Sequence, residues 1–234
     1  MCFILLGDRG IGGARHAHGA ALLANGKVLL VGGHSGGTPL TTGAVFDPAT
    51  DLVTTVSGQL AARLNPAVTV LFDGKVLISG AGVDSADLYD PKTNQAVTIS
   101  PAAGARNGHS TTQLQNGRVL LAGGTIGTAS VASTSIFDPV TGKFSAGPDL
   151  PVARTNHVAA LLDNGRVLLI GGNAPTSTTT SVLVDLSAAG SAANTATSMN
   201  IVRGQILAVK MNNGRVFVPS GHNGQYLSTT ELFE

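Results

Sequence analysis

Five arginines recur at a near-constant interval along this 234-residue chain and carry its strongest chemical signal. They lie 43 to 49 residues apart, at Arg15, Arg63, Arg106, Arg154 and Arg203. A guanidinium group can hold a carboxylate or a phosphate through two parallel hydrogen bonds. Gathered at one end of a fold, the five groups would form a binding site for an anion. The alternative is structural, with each arginine binding loop carbonyls of its own repeat or of the next.

The residues just after the arginines differ between the copies, as a recognition surface requires and as drift also produces. Two further histidines follow glycine-rich strand ends in the first and last copies. Together with the arginines, such side chains would make binding specific for one ligand, either a protein or a small polar or anionic molecule. We therefore predict a ligand-binding set of the five arginines together with His16, His34, Asn65, Asn156, Gln205 and His222.

Three histidines lie three residues after an arginine, at His18, His109 and His157. Three imidazoles could bind a metal ion. In a ring of five units, however, the first unit neighbours the second and fifth, so these histidines would be unevenly placed, and no carboxylate accompanies them. We predict hydrogen-bonded structural histidines, with no bound metal and no cofactor.

The carboxylates give little support for catalysis. Glycoside hydrolysis needs two carboxylates about 5–10 Å apart. The apolar runs that follow the five arginines, which we expect to form the innermost strands, contain no carboxylate. Asp87 aligns with Glu231, so this pair belongs to the repeat. We predict no catalytic residues and favour a binding role. An enzyme acting on a small polar or anionic substrate, including carbohydrates, remains the alternative, as does a scaffold without a site of its own.

The composition excludes several classes of partner. Fourteen basic and thirteen acidic residues give a formal net charge of +1, which argues against nucleic acid and against a cationic partner. The single cysteine excludes an internal disulfide. The apolar run at residues 2–6 is too short for a signal peptide, and no run is long enough to span a membrane. We expect a monomer and leave the cellular compartment open.

The elements that position these residues repeat with the arginines. After each arginine comes an apolar run of strand length, then an Asn–Gly or Asp–Gly pair such as Asn25–Gly26, then a second apolar run such as 27–31. The pair predicts a type I′ hairpin turn with positive φ at both residues. A third strand ends in an Asp-Pro turn, as at Asp47–Pro48, and a weaker fourth strand follows. Four antiparallel strands per unit describe a propeller blade.

This pattern resembles the kelch repeat, in which an arginine, often a histidine, a hairpin turn, a "VLLVGG"-type strand and a "FDP" strand follow in order. The resemblance implies an all-β fold, a β-propeller of five four-stranded kelch-type blades in one domain, 1–234. The repeats start near residues 14, 62, 105, 153 and 202. The aromatic residue usual in the fourth kelch strand is mostly missing here, with Phe144 the nearest match, and six or seven blades are commoner.

We expect the N-terminal strand to close the ring. The fifth unit ends on a third strand, at residues 231–234, and the run at residues 2–6 is spare. That run would supply the missing fourth strand, since closure removes exposed sheet edges. The alternative is a fragment of a longer propeller.

The hairpins and Asp-Pro turns should share the face opposite the arginines. There each second strand begins with a cation and each third strand ends with an acid. Antiparallel pairing predicts surface ion pairs within each unit. The five pairs would be Lys27 with Asp47, Lys75 with Asp90, Arg118 with Asp138, Arg166 with Asp185, and Arg215 with Glu234.

Overall fold

A computed structural model describes residues 13–99, 104–173, 178–187, 192–204 and 206–234. Within these ranges every regular element is a β-strand, and the sheets are almost entirely antiparallel, consistent with a propeller-like fold. The chain divides into two compact units, Met1–Ala102 and Ala103–Glu234. The predicted closing strand at residues 2–6 and Gln205 lie outside the described residues. No helix in the described part is long and apolar enough to cross a membrane.

The first unit contains two repeats. The strands of repeat 1 are β1 (Gly19–Leu22), β2 (Val28–Val31), β3 (His34–Ser35), β4 (Thr38–Pro39), β5 (Gly43–Asp47) and β6 (Leu52–Thr55). Its main sheet has the order β1-β2-β5-β6, and β3 and β4 form a separate hairpin. The strands of repeat 2 are β7 (Ser57–Gly58), β8 (Ala67–Val70), β9 (Val76–Ser79), β10 (Ala86–Asp90) and β11 (Gln95–Ile99). The short β7 joins this sheet by pairing with β11 in parallel.

The second unit contains three repeats. The strands of repeat 3 are β12 (Arg106–Asn107), β13 (Ser110–Gln113), β14 (Val119–Ala122), β15 (Thr125–Ile126), β16 (Ala129–Ser130), β17 (Thr134–Asp138) and β18 (Lys143–Ala146). Those of repeat 4 are β19 (Val158–Leu161), β20 (Val167–Ile170), β21 (Ser181–Asp185) and β22 (Ala192–Ala196). Repeat 5 has three strands in the described part: β23 (Val209–Lys210), β24 (Val216–His222) and β25 (Tyr226–Phe233). The four main strands predicted per repeat are therefore present in repeats 1 to 4.

Within each unit, the core lies between the sheets of neighbouring repeats. The second strands β9, β14 and β20 are buried at every residue, as expected of continuous apolar runs covered on both faces. In the first unit β1 contacts β8, and in the second β13 contacts β19, which contacts β23. First strands of successive repeats thus lie side by side, and this arrangement brings the arginine segments at their starts together within each unit.

The hairpin turns differ from the predicted type I′ geometry. Gly26 has a φ of +82°, whereas Asn25 is not among the residues with positive φ. The Gly26 N–H donates to the Leu23 carbonyl at 2.9 Å, and the Asn25 Oδ1 accepts from the Lys27 N–H at 3.1 Å. The turn therefore spans four residues and ends in a left-handed glycine, with the asparagine side chain stabilising it. The same side-chain bond is formed by Asp73, Asn116, Asn164 and Asn213.

Candidate binding face

The end of each repeat formed by the arginine segment and the loop after the second strand is named here the Arg face. In every repeat the arginine side chain closes this loop. Its Nη1 donates to the carbonyl 17 residues later, at 2.8–3.1 Å. The accepting residues are Gly32, Gly80, Gly123, Gly171 and Ser220. The arginine thus fixes the end of the second strand to the start of the first.

A hydroxyl residue completes each arginine contact. The Nη2 atom donates to a serine or threonine oxygen at 2.8–3.2 Å. These residues are Thr42, Ser85, Ser133, Thr180 and Thr229, each two places before the position of Asp87 in its repeat. The sequence interpretation missed them. Their recurrence five positions before the acid that ends the third strand is the signal that identifies them.

The backbone of the arginine fastens the preceding repeat. The Gly33 N–H donates to the Arg63 carbonyl at 2.7 Å, and the Gly124 N–H donates to the Arg154 carbonyl at 2.8 Å. A side chain at Gly123 would not fit, because its Cβ would lie 2.4 Å from the Arg154 carbonyl. The Gly–Gly pairs therefore allow two backbones to approach closely. Arg63 and Arg154 therefore stabilise their own repeat through the side chain and the preceding repeat through the backbone carbonyl.

This geometry favours the structural alternative for the arginines. Arg63, Arg106, Arg154 and Arg203 are at most 2% exposed, and only Arg15 is partly accessible. Burial lowers the pKa of Arg154 from its ordinary value. Because Nη1 and Nη2 of each group donate within the protein, the four buried guanidinium groups serve as the frame of the Arg face.

Two repeats add a carboxylate to the arginine. Asp87 Oδ2 pairs with Arg63 Nε at 3.0 Å, and Glu231 Oε1 pairs with Arg203 Nε at 3.0 Å. Glu231 also accepts the backbone N–H groups of Asn200 and Ile201. The predicted alignment of Asp87 with Glu231 is thus confirmed as a structural element of the repeat. The buried Asp87 and the half-buried Glu231 are each committed to an ion pair within their own repeat.

Asn65 and Asn156 are exposed on the Arg face in a left-handed backbone conformation, with φ of +49° and +52°. The equivalent positions are Ala17 and Gly108, also with positive φ. Asn65 N–H donates to the Ala17 carbonyl and Asn156 N–H to the Gly108 carbonyl, both at 2.8 Å. Asparagine tolerates this conformation better than most residues. The backbone is fixed between repeats, while the two amide side chains remain available.

The predicted histidines fall into two aromatic pairs. His16 and His34 lie opposite each other, exchange both backbone hydrogen bonds, and have ring centroids 3.6 Å apart. His222 packs edge to face against Tyr226, with centroids 5.4 Å apart. Tyr226 is 94% exposed at the tip of the long β24–β25 hairpin, and the sequence interpretation did not select it. Both pairs lie beside the arginine segment of their own repeat.

The histidines considered as metal ligands have different environments. His18 is exposed, whereas His157 is buried and its Nε2 lies 2.8 Å from Ser110 Oγ. Burial, followed by the charges of Arg154 and His109, lowers the pKa of His157 to about 3. The Ser110–His157 pair resembles a nucleophile and base, but a ring that resists protonation is a weak base. No group of three or more metal-binding side chains occurs in the described ranges.

The opposite end of the repeats, named here the hairpin face, carries the predicted ion pairs. Four are confirmed: Lys27 with Asp47 at 3.0 Å, Arg118 with Asp138 at 3.4 Å, Arg166 with Asp185 at 2.9 Å, and Arg215 with Glu234. The prediction for Lys75 was wrong. Lys75 pairs with Asp73 at 3.6 Å, because repeat 2 has an acid where the other hairpin turns have asparagine.

A carboxylate of the hairpin face, Asp47, also accepts a backbone hydrogen bond and borders a cleft. The hydrogen bond from Lys27 and then that from the backbone N–H of Ala49 lower the pKa of Asp47. A cleft of about 340 Å³ lies here between repeats 1 and 2, with Lys27 and Asp47 at its edge and Leu23 and Tyr89 deeper in. Lys27 and Asp47 neutralise each other, so neither charge of this pair is left to bind a ligand. The shape of the cleft still makes it an alternative to the Arg face as a binding site.

No protein-family model matches the chain, and no curated protein matches it in sequence. Its fold is similar to that of the solved structure of YjhT, with a TM-score of 0.71. The similarity covers 94% of this chain and 82% of that chain at 14% sequence identity. At this identity, the likeness concerns the fold.

Proposed function

We propose that the chain is a kelch-type β-propeller of five blades that binds a partner through its Arg face. Support for the architecture comes from the repeated four-stranded sheets and from the fold similarity to YjhT. In the described part, β25 is the last strand of its sheet. Residues 2–6 would add the fourth strand there and close the ring.

The observation that carries the binding role is the contrast within the arginine segments. In repeats 2 and 4 the arginine is buried and hydrogen-bonded, whereas the residue two places later is exposed and its backbone N–H is bonded to the preceding repeat. Asn65 and Asn156 present their amides from a backbone that is tied to the neighbouring repeat. Rigid positions that carry different side chains are the arrangement used by repeat proteins to bind ligands on one face.

The chemistry of the Arg face indicates a hydrogen-bonding ligand. The surrounding loops at 34–43 and 125–134 are rich in serine, threonine and glycine. The amides of Asn65 and Asn156, the His16–His34 pair and the ring of Tyr226 add donors, acceptors and aromatic surface. Because Nη1 and Nη2 of the buried guanidinium groups already donate within the protein, we assign the ligand contacts to these residues. The partner is then a polar molecule or a polar segment of another protein.

A thermal-shift screen tests this proposal. Polar metabolites, sugars, carboxylates and short peptides would each be added to the purified protein, and the melting temperature measured. A compound that binds only the folded state raises it, by an amount that grows with concentration. Failure of every class to raise the melting temperature would favour a scaffold without a site. Turnover of a stabilising compound would favour the enzyme alternative.

A further inference from the structure

The sequence contains six Asn–Gly pairs, at Asn25, Asn107, Asn116, Asn164, Asn213 and Asn223. Asparagine is chemically labile, and most so before glycine, whose backbone nitrogen is unshielded. That nitrogen attacks the side-chain amide carbon and displaces ammonia. The structure places the six pairs in different environments and thereby distinguishes them.

Four pairs lie in the hairpin turns and are held against the reaction. Asn25 Oδ1 accepts from the Lys27 N–H, and the Gly26 N–H donates to the Leu23 carbonyl. The side chain is therefore fixed towards another partner, and the attacking nitrogen is bonded to an oxygen that is too weak a base to take its proton. The same two bonds are present at Asn116, Asn164 and Asn213.

The fifth pair is held by a strand. Asn107 lies in β12 and pairs with Thr125. Gly108 has no free space around it, because a Cβ at this position would lie 2.5 Å from Thr155 Oγ1. An extended, paired backbone keeps the nitrogen of Gly108 away from the side chain of Asn107.

Asn223 differs from all of these. It is exposed in the three-residue loop between β24 and β25, and its side chain forms no hydrogen bond with the described residues. The Gly224 N–H points to His222 Nδ1, at 3.4 Å. The ring of Tyr226 lies edge to face beside that of His222, with centroids 5.4 Å apart. The attacking nitrogen thus faces a basic nitrogen, with the target amide free to approach.

We propose that Asn223 is a self-modifying site at which His222 assists deamidation. His222 Nδ1 takes the proton from Gly224 N, which bonds to Cγ of Asn223. The Cγ–Nδ2 bond then breaks, and ammonia leaves with the proton returned by His222. Water opens the resulting five-membered ring to aspartate or isoaspartate, so one water is consumed and one ammonia released. The product adds a negative charge to the Arg face beside Tyr226.

Peptide mapping by mass spectrometry tests the assignment on the full chain, incubated at neutral pH and sampled over time. Each deamidated peptide gains about 1 Da, which reports modification at every Asn–Gly pair separately. We expect Asn223 to convert first, while the four turn asparagines and Asn107 stay largely intact. Conversion of any of these five at the rate of Asn223 would overturn the proposal.

His222→Phe tests the role of the imidazole, because phenylalanine keeps the ring contact with Tyr226 and removes the base. General bases commonly contribute about 100-fold or more when well placed. At this longer distance we expect the rate at Asn223 to fall about tenfold. His34→Phe is the matched control, since His34 follows the glycine pair of repeat 1 without an adjacent Asn–Gly, and should leave the rate unchanged. An unchanged rate in His222→Phe would overturn the proposal.

Discussion

Arg63 and Asp87 form an ion pair of 3.0 Å in which the two side chains are only 1% and 0% exposed. The pair joins the start of repeat 2 to its third strand. Asp87 also accepts from the Ala61 N–H and from the Thr98 hydroxyl. A single carboxylate therefore ties three segments of the repeat together inside the first unit.

Removing that carboxylate should be costly. In Asp87→Ala the Arg63 charge stays buried without its partner, so we expect the free energy of unfolding to fall by about 3–5 kcal/mol. Denaturant titration measures this loss. Asp73→Asn is the matched control, because it restores the residue of the other four turns and breaks only an exposed pair, with an expected change below about 1 kcal/mol. Equal losses in the two variants would contradict the role assigned to Asp87.

The buried imidazole of His157 should make stability depend on pH. Its pKa lies near 3 in the folded protein against an ordinary 6.5, so between these values only the unfolded chain binds the proton. The free energy of unfolding is therefore lost as the pH falls through this window, by about 1.4 kcal/mol per pH unit from this group. Urea titrations from about pH 7 to about pH 4 should show a shallower decline in His157→Gln. Parallel declines would contradict the prediction.

The close approach at the Gly–Gly pairs predicts a large difference between two glycines of repeat 3. Gly123 has a φ of +62° and a Cβ on it would lie 2.4 Å from the Arg154 carbonyl of repeat 4, whereas Gly127 has a φ of +60° and nothing within 4 Å of a Cβ. Gly127→Ala should lower the free energy of unfolding by only about 1–2 kcal/mol, because a residue with a Cβ is strained in the left-handed backbone conformation. Gly123→Ala should lower the free energy of unfolding by about 4 kcal/mol or more, because a clash with the Arg154 carbonyl is added. Thermal melts compare the two, and similar losses would disprove the brace between repeats 3 and 4.

The proposed closure of the ring predicts that residues 1–7 are needed for stability. Their deletion would leave β25 without a fourth strand and uncover apolar surface, so the melting temperature should fall strongly. Differential scanning calorimetry of the truncated chain measures this. A melting temperature equal to that of the full chain would remove the support for a closing strand.

The sequence predicts the local elements well because they depend on short-range patterns. The Asn–Gly or Asp–Gly pairs, the apolar second strands and the acids that end the third strands locate the strands of repeats 1 to 4. Contacts across loops are less predictable. Lys75 pairs with Asp73 because an acid lies two residues away in the turn, and the edge-to-face contact of His16 with His34 depends on a register that a variable loop sets. Burial of the arginines also follows from packing between repeats, which spacing alone does not reveal.

The positive φ at Asn65 and Asn156 determines how the face should be altered. Alanine would add backbone strain, whereas glycine keeps the conformation, as Gly108 does at the equivalent position in repeat 3. Asn65→Gly and Asn156→Gly therefore remove the amides without disturbing the fold. Lys27→Ala and Arg166→Ala are the matched controls on the hairpin face, and Lys27→Ala also probes the cleft between repeats 1 and 2.

The most direct measurement is the thermal shift that a stabilising compound from the screen gives with these four variants and the unaltered protein. Binding on the Arg face predicts that the shift shrinks or disappears in Asn65→Gly or Asn156→Gly and is retained in Lys27→Ala and Arg166→Ala. A shift that persists in both glycine variants and is lost in Lys27→Ala or Arg166→Ala would place the site on the hairpin face and contradict the account.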